Sequence, residues 1–132
     1  MAAAFALGAE GVQMGTRMVS SKESPIHDNW KQAIVDADET DTVMLRGEQG
    51  PAMRALRTDR TNRLEKEPPE VLFGEMKDAM SLYFGGDLEA AIALTGQVAG
   101  RIDSIESAAD VVRETMEEFK KVVSGMAAQY TA

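Results

Sequence analysis

The stretch that decides the fold is residues 2–17, which read AAAFALGAEGVQMGTR. Its first half is rich in alanine and ends at Gly8, so it predicts the last two turns of a helix that the glycine terminates. From Gly11 to Val19 the alternation around Val12 and Met14 predicts a short buried strand that ends in a loop. A helix, a glycine turn and a short strand in that order are typical of the end of an αβ unit.

The composition restricts the classes of function. The 132 residues carry 14 basic and 22 acidic side chains, for a formal charge of −8, so we expect no nucleic-acid partner. The chain has no cysteine, which excludes disulfides and thiolate sites, and its single histidine leaves few candidates for acid–base catalysis. No apolar run approaches the ~18 residues that span a bilayer, and the apolar N-terminal stretch lacks a basic leader. We therefore expect a cytoplasmic protein without a membrane partner.

Beyond residue 25 the hydrophobic pattern becomes helical over most of the chain. A helix with Trp30 and Ile34 on its apolar face is expected to begin at a cap formed by Asp28. Residues 40–45 are β-prone but form only a brief segment. The first third of the chain therefore combines one short helix with weak signals for extended structure.

Glycine and proline divide the next part of the chain. Residues 47–51 are expected to form a loop that places Pro51 at the first position of a helix over residues 51–66. Residues 72–83 predict a further amphipathic helix, and the apolar pattern continues through residues 88–98. We expect this whole region to be helical.

The last helix has the clearest periodicity. Its apolar residues alternate in steps of four and three: Ile105, Ala109, Val112, Met116, Phe119, Val123 and Met126. Asp103 and Glu106 have the spacing of a capping box at its start. The stripe predicts docking against a neighbouring core; a self-pairing coiled coil is the alternative, although Ala109 and Gly125 would weaken such a seam.

Gln13, Met14, Gly15 and Thr16 lie where the predicted strand ends. Ligands of α/β sheets bind beyond the carboxyl ends of the strands, where loops offer free backbone N–H groups. Gly15 lets the backbone approach an anion closely, Thr16 adds a hydroxyl donor, and Arg17 could add charge. The segment is therefore a candidate anion site, although a strand followed by Gly-Thr is more often only a turn.

Two further features have both a functional and a structural interpretation. His27 could be a catalytic base, but a single histidine before a helix is more often a cap or a surface residue. Arg54, Arg57, Arg60 and Arg63 recur every third residue and could bind a phosphate or an acidic partner. Ion pairing with nearby acidic residues, among them Asp59, Glu65 and Glu67, is the alternative that we favour.

Residues 3–17 resemble the signature segment of the nitronate monooxygenase family, formerly called 2-nitropropane dioxygenase, which includes the flavin-dependent enoyl-acyl-carrier-protein reductase II. Shorter matches follow in the same order over most of the chain: residues 23–27, 31–34, 40–42, 52–57, 86–89 and 96–100. The resemblance implies an α/β fold, the C-terminal portion of a (β/α)8 TIM barrel with its last strand, followed by a helical extension. A TIM barrel needs ~250 residues, so we expect this mostly α chain to be a C-terminal piece.

The resemblance also implies roles for particular residues. Gln13, Met14, Gly15 and Thr16 match the strand-eight half of the site that holds the phosphate of FMN in the family. The other flavin contacts and the histidine base of the nitronate enzymes would lie upstream, so no catalytic residue is assigned, and His27 does not match that base. Residues 1–24 would be the end of the barrel, residues 25–100 a helical region on the substrate side, and residues 101–132 a helix packing on the barrel.

The function implied is that of an FMN-dependent oxidoreductase that oxidises nitronates or similar small substrates with oxygen. One alternative is an FMN-dependent enoyl-acyl-carrier-protein reductase that uses NAD(P)H, for which Arg54, Arg57 and Arg60 could form a docking surface. Another is a non-catalytic remnant, or half of a split enzyme. The partners expected are a small-molecule or acyl substrate and either an N-terminal barrel chain or a second copy of this chain.

Overall fold

The described residues form several short helices, one long C-terminal helix and one antiparallel hairpin. The computed structural model describes residues 1–46, 52–76 and 78–131, so the loop predicted at residues 47–51 lies outside the described residues. In chain order the elements are α1 (Ala2–Ala6), α2 (Thr16–Val19), α3 (Asp28–Val35), β1 (Thr42–Leu45), β2 (Met53–Leu56), α4 (Asp59–Leu64), α5 (Ala79–Tyr83) and α6 (Ala108–Tyr130), with 3-10 helices at Pro69–Met76 and Ala99–Arg101. β1 and β2 pair antiparallel, with Val43 opposite Ala55.

The N-terminal helix ends as its sequence predicts. Gly8 has a φ of +96°, and the Ala9 N–H donates to the Ala4 carbonyl at 3.0 Å. A residue with left-handed backbone just beyond the last turn reverses the chain, so that the N–H groups that follow can donate to the free carbonyls of the helix. The predicted helix tail over residues 2–7 is therefore confirmed as α1.

The strand predicted from residue 11 is not formed among the described residues. Residues 11–14 have no regular secondary structure, and Thr16–Val19 is helical rather than extended. A strand exists only through hydrogen bonds to a neighbour, and the described part of the chain places none beside this segment. The alternation of Val12 and Met14 is compatible with a strand, but a strand also needs a neighbouring strand with which to form hydrogen bonds.

The core forms around α3. Trp30 and Ile34 are buried, as their spacing predicts, and the Trp30 indole meets the Tyr83 ring edge-on with centroids 4.8 Å apart. Leu82 of α5 is also fully buried in this cluster. Burying side chains of this size contributes ~1.5–3 kcal/mol each. The residue at the N-cap of α3 is His27 and not Asp28, because the His27 ring accepts the N–H of Asn29 in the first turn of the helix.

The helix predicted over residues 51–66 is wrong in its first half. Residues 53–56 form β2, which places Ala55 and Leu56 in the core, and only Asp59–Leu64 is helical. Thr58 separates the two elements, since its hydroxyl accepts the Thr61 N–H in a reciprocal capping box. Pairing with the β-prone residues of β1 outweighs the modest helix propensity of this segment.

The apolar segments that follow are also less regular than predicted. Residues 72–83 divide into the 3-10 helix Pro69–Met76 and the short α5. Residues 93–95 run beside β2, where the Leu56 N–H donates to Ala93 and the Thr95 N–H donates to Arg54, each at 2.9 Å. Edge backbone groups of the hairpin therefore hold an extended segment where the pattern predicted a helix.

The last helix is confirmed, but its start differs. α6 begins at Ala108, and Ser107 is its N-cap, accepting the Asp110 N–H at 3.0 Å. The capping box predicted at Asp103 and Glu106 is therefore wrong. On the apolar stripe, Phe119 contacts Phe5 of α1 with ring centroids 5.1 Å apart, whereas Val112, Met116, Val123 and Met126 are each exposed over more than a third of their surface. Packing of residues 101–132 on a barrel stays a prediction.

None of the helices in the described ranges combines the length and the apolar character needed to cross a membrane.

Candidate functional site

The segment from Gln13 to Thr16 lies on the surface and leads into α2. Gln13 and Gly15 are exposed, Met14 is half-buried, and Thr16 is buried at 9% exposure. Gly15 is the N-cap of α2, and a Cβ built on it would meet no atom within 4 Å. The backbone of Gly15 therefore has free space beside it, on the side that a Cβ would occupy.

Three backbone N–H groups at this turn are available to a ligand. The Met18 and Val19 N–H groups both donate to the Gly15 carbonyl, at 2.9 and 3.0 Å. The N–H groups of Gly15, Thr16 and Arg17 have no acceptor within the described ranges, as expected for the first turn of a helix. Unpaired amides beside a glycine fit a phosphate group, because phosphate oxygens accept several such hydrogen bonds at once. The residues present therefore fit the phosphate of FMN.

The Thr16 hydroxyl is positioned by a segment that lies far away in the sequence. The Gly96 N–H donates to Thr16 Oγ1 at 2.7 Å, and the Thr95 hydroxyl lies 3.4 Å from the same atom. A hydroxyl has two acceptor lone pairs and one donor, so Thr16 can accept from Gly96 and still donate its proton to an anion. The sequence analysis missed Gly96 as a neighbour of this site, because nothing in a pattern of short periodicity joins positions 80 residues apart.

The Arg17 side chain is bound by the segment before α6. Its guanidinium donates to the Ser104 carbonyl at 2.5 Å and pairs with Glu106 at 3.1 Å. In addition, the Lys22 N–H donates to the Glu106 carbonyl at 2.8 Å. Arg17 therefore connects this turn to the segment before α6, and its guanidinium forms an ion pair with the Glu106 carboxylate.

His27 has a structural role in the described part of the chain. Its Nδ1 accepts the Asn29 N–H at 3.1 Å, and its backbone N–H donates to the Tyr83 carbonyl at 2.7 Å. Gly86 packs directly against the imidazole ring. The capping interpretation is confirmed, and Nδ1 is occupied as an acceptor.

The arginine series does not form one helical face. Arg54 lies in β2 and donates to the Thr42 hydroxyl at 2.8 Å; the other three reach carboxylates. Arg57 pairs with Glu65 at 3.0 Å and Arg63 pairs with Glu75 at 3.1 Å. Arg60 also pairs with Glu75, and its backbone N–H donates to the Glu89 carboxylate at 2.7 Å. Ion pairing is confirmed for these three arginines, but of the predicted partners only Glu65 is used, and the partner of Arg60 and Arg63 is Glu75.

Among the described residues, no group of histidine, aspartate and glutamate side chains is arranged to hold a metal ion.

Comparison with known proteins identifies the family. The sequence model described as "Nitronate monooxygenase" matches residues 1–118. The chain belongs to the nitronate monooxygenase family. It is similar to "Putative monooxygenase Rv1533" of Mycobacterium tuberculosis, at 32% identity over 90% of this chain and 35% of the relative. It is also 41% identical to a "Probable nitronate monooxygenase" of Staphylococcus aureus, over 41% of this chain and 15% of the relative.

Solved structures give the same result for the fold. FabK from Thermotoga maritima superposes with a TM-score of 0.85 at 39% identity, covering 98% of this chain and 43% of FabK. A variant of the same protein superposes with a TM-score of 0.82, covering 40% of its chain. The predicted fold class, an α/β barrel portion with a helical extension, is confirmed. The chain spans about a third of the length of its Mycobacterium relative and less than half of FabK.

Proposed function

We propose that this chain is part of an FMN-dependent oxidoreductase of the nitronate monooxygenase type. Nitronates, or similarly small substrates, are oxidised, and molecular oxygen is the oxidant that is reduced. Membership of the nitronate monooxygenase family supports this class of reaction. The single observation that carries the cofactor assignment is the set of three unpaired amides at Gly15, Thr16 and Arg17, with no atom within 4 Å of the place where Gly15 would carry a Cβ.

In this proposal the chain's own contribution is to bind the phosphate end of the cofactor. The amides from Gly15 to Arg17 donate to phosphate oxygens, and the Thr16 hydroxyl adds a fourth donor while Gly96 fixes its orientation. Gln13 and Met14 lead into the turn and border it. When bound, FMN supplies the ability to take electrons from the substrate and pass them to oxygen. No residue of this chain is assigned a proton-transfer role, since His27 is committed to capping α3.

The alternative of reduction on an acyl carrier protein needs a basic docking surface. Arg57 pairs with Glu65, and Arg60 and Arg63 share Glu75, so two of the four positive charges of the arginine series are balanced by glutamates of this chain. An acidic partner would have to compete with these intramolecular pairs. The ion pairs therefore favour a small substrate over a carrier-bound one.

The test is flavin content in the natural protein that carries this chain. Gly15→Leu should lower the fraction of protein purified with FMN, because its Cβ has free space and the side chain would lie beside the amides. Gly11→Leu is the matched control: it is equally exposed and also meets no atom within 4 Å, yet it lies before the turn. Equal flavin content in the two variants would contradict the assignment of Gly15.

Substrate assays then separate the two chemistries. Nitronate-dependent oxygen uptake by the flavin-loaded protein supports the proposed reaction. Nicotinamide oxidation that depends on an enoyl thioester, without oxygen uptake on nitronates, would replace it with the reductase alternative. Absence of flavin from the wild-type protein would overturn both.

A further inference from the structure

His27 joins two elements that lie far apart in the sequence. Its Nδ1 accepts the Asn29 N–H at 3.1 Å and so caps α3. Its backbone N–H donates to the Tyr83 carbonyl at 2.7 Å, at the end of α5. The Asn29 side chain adds a second link, because its Nδ2 donates to the Gly86 carbonyl at 3.1 Å. The α3–α5 junction consists of His27, Asn29, Tyr83 and Gly86.

The Nδ1 atom of His27 supports this junction only while it carries no proton. In a neutral imidazole one nitrogen donates and the other accepts, whereas in the charged form both nitrogens donate. A proton on Nδ1 therefore removes the acceptor of the Asn29 N–H and places two donors opposite each other. Gly86 packs against the same nitrogen, since a Cβ built on it would lie 2.2 Å from Nδ1. The space beside the protonated atom is therefore restricted.

The electrostatic surroundings also disfavour a charged imidazole. A positive charge on His27 would lie at the N-terminus of α3, where the helix dipole is positive. In the described part of the chain, none of the ion pairs includes His27. The carboxylates on the segments that meet at the junction have other partners: Glu23 accepts the Ala108 N–H, Asp28 pairs with Lys31, Asp78 accepts the Ser81 N–H, and Asp87 accepts the Glu89 N–H. Among the described residues, no counter-ion therefore pairs with the protonated ring.

We propose that the α3–α5 junction is a pH-sensitive latch, which is closed while His27 is neutral and opens when Nδ1 takes up a proton. Histidine is the side chain whose charge changes between about pH 5 and pH 8, and His27 is the only histidine of the chain. The stabilisation by the neutral ring is present at the upper end of this range and is lost as the pH falls through it. Opening releases the first turn of α3 from Gly86 and loosens the edge-on contact of Trp30 with Tyr83.

Nitrogen NMR of the histidine side chain and amide hydrogen exchange test the latch in the wild-type protein. At about pH 8, Nδ1 should carry no proton, as its hydrogen bond requires. The amides of His27 and Trp30 report opening, because their N–H groups donate to the Tyr83 and His27 carbonyls. Their protection factors should fall about fivefold to tenfold between about pH 8 and pH 5, the effect of losing one helix cap. The amides of α6 are the internal control and should keep their protection.

His27→Asn separates protonation from capping, because asparagine is a good N-cap that does not titrate in this range. The protection factors of the same two amides should then be equal at both pH values. His27→Ser, another capping residue, takes its place if the asparagine variant does not fold, and the wild-type measurement decides alone if neither folds. A proton on Nδ1 at the higher pH, or protonation without loss of protection, would overturn the proposal. An equal loss in His27→Asn would also overturn it, because other groups would then cause the pH dependence.

Discussion

Replacing Gly86 with alanine should strongly destabilise the protein, because two independent constraints require glycine there. Its φ of +72° lies in the left-handed region. A Cβ would also lie 2.2 Å from His27 Nδ1 and 2.6 Å from Cγ. The imidazole cannot move aside freely, since its Nδ1 caps α3 by accepting the Asn29 N–H. The backbone of His27 is also held in place, because its N–H donates to the Tyr83 carbonyl.

The magnitude can be estimated from these contacts. Left-handed backbone costs an alanine ~1–2 kcal/mol, and loss of a helix cap costs ~1 kcal/mol. Displacing the ring into packed surroundings adds ~1–2 kcal/mol. We expect Gly86→Ala to lower the free energy of unfolding by about 3–5 kcal/mol, which corresponds to a fall in Tm of roughly 10–20 °C for a chain of this size.

Urea titration followed by circular dichroism measures this loss, and Gly125→Ala is the control. Gly125 lies inside α6, and a Cβ there would meet no atom within 4 Å. The same substitution should therefore stabilise the protein there by ~0.5–1 kcal/mol, because alanine loses less backbone entropy than glycine in a helix. A loss below ~1 kcal/mol for Gly86→Ala, or shifts of the same sign for both variants, would refute the reasoning.

Three further outcomes follow from particular contacts. Gly100→Ala should lower the free energy of unfolding by about 2–3 kcal/mol in the same titration, because its Cβ would lie 2.4 Å from the backbone between Asp38 and Glu39. An unchanged free energy of unfolding would mean that this backbone can move without cost, which contradicts the prediction. Arg17→Ala should cost about 1–2 kcal/mol and speed amide hydrogen exchange in residues 103–107, since it removes the bonds to Ser104 and Glu106; unchanged exchange there would contradict the bracing role. The hydrogen bond from Ser107, and then that from Arg113, hold the pKa of Asp110 below its ordinary value of 3.8. The stabilisation by this carboxylate is therefore complete above that value and is lost as the pH falls through the lower pKa of the folded state, which NMR titration of Asp110 and the acid sensitivity of an Asp110→Asn variant should show.

The strongest local signals in the sequence predicted their elements correctly. Gly8 ends α1, the spacing of Trp30 and Ile34 places them in the core, and the apolar periodicity after residue 105 corresponds to α6. Each of these features depends on neighbours within one or two helical turns. The prediction for residues 53–56 was wrong for the opposite reason, since their strand depends on pairing with β1 and with the distant segment at residues 93–95.

The same division holds for the candidate site. The residue types from Gln13 to Thr16 predict an anion site, and this assignment stays a prediction; in the described part of the chain the N–H groups of Gly15, Thr16 and Arg17 have no acceptor. The orientation of Arg17 toward Glu106 could not be read from its neighbours in the chain. Nor could the approach of Gly96 to Thr16, because contacts between distant residues form only when the core brings the segments together.

The amino-acid sequence by itself determined the glycine turn after α1, the apolar spacing of α3 and α6, and the family, because these depend on residue type and short spacing. Only the tertiary structure decided that the Thr16 hydroxyl is oriented by Gly96 and that Arg17 is bound to the segment before α6. It also decided which two glutamates, Glu65 and Glu75, pair with the arginines of residues 57–63. The physical reason is that a donor is satisfied by whichever acceptor the folded chain brings within about 3 Å, and sequence distance has no part in that choice.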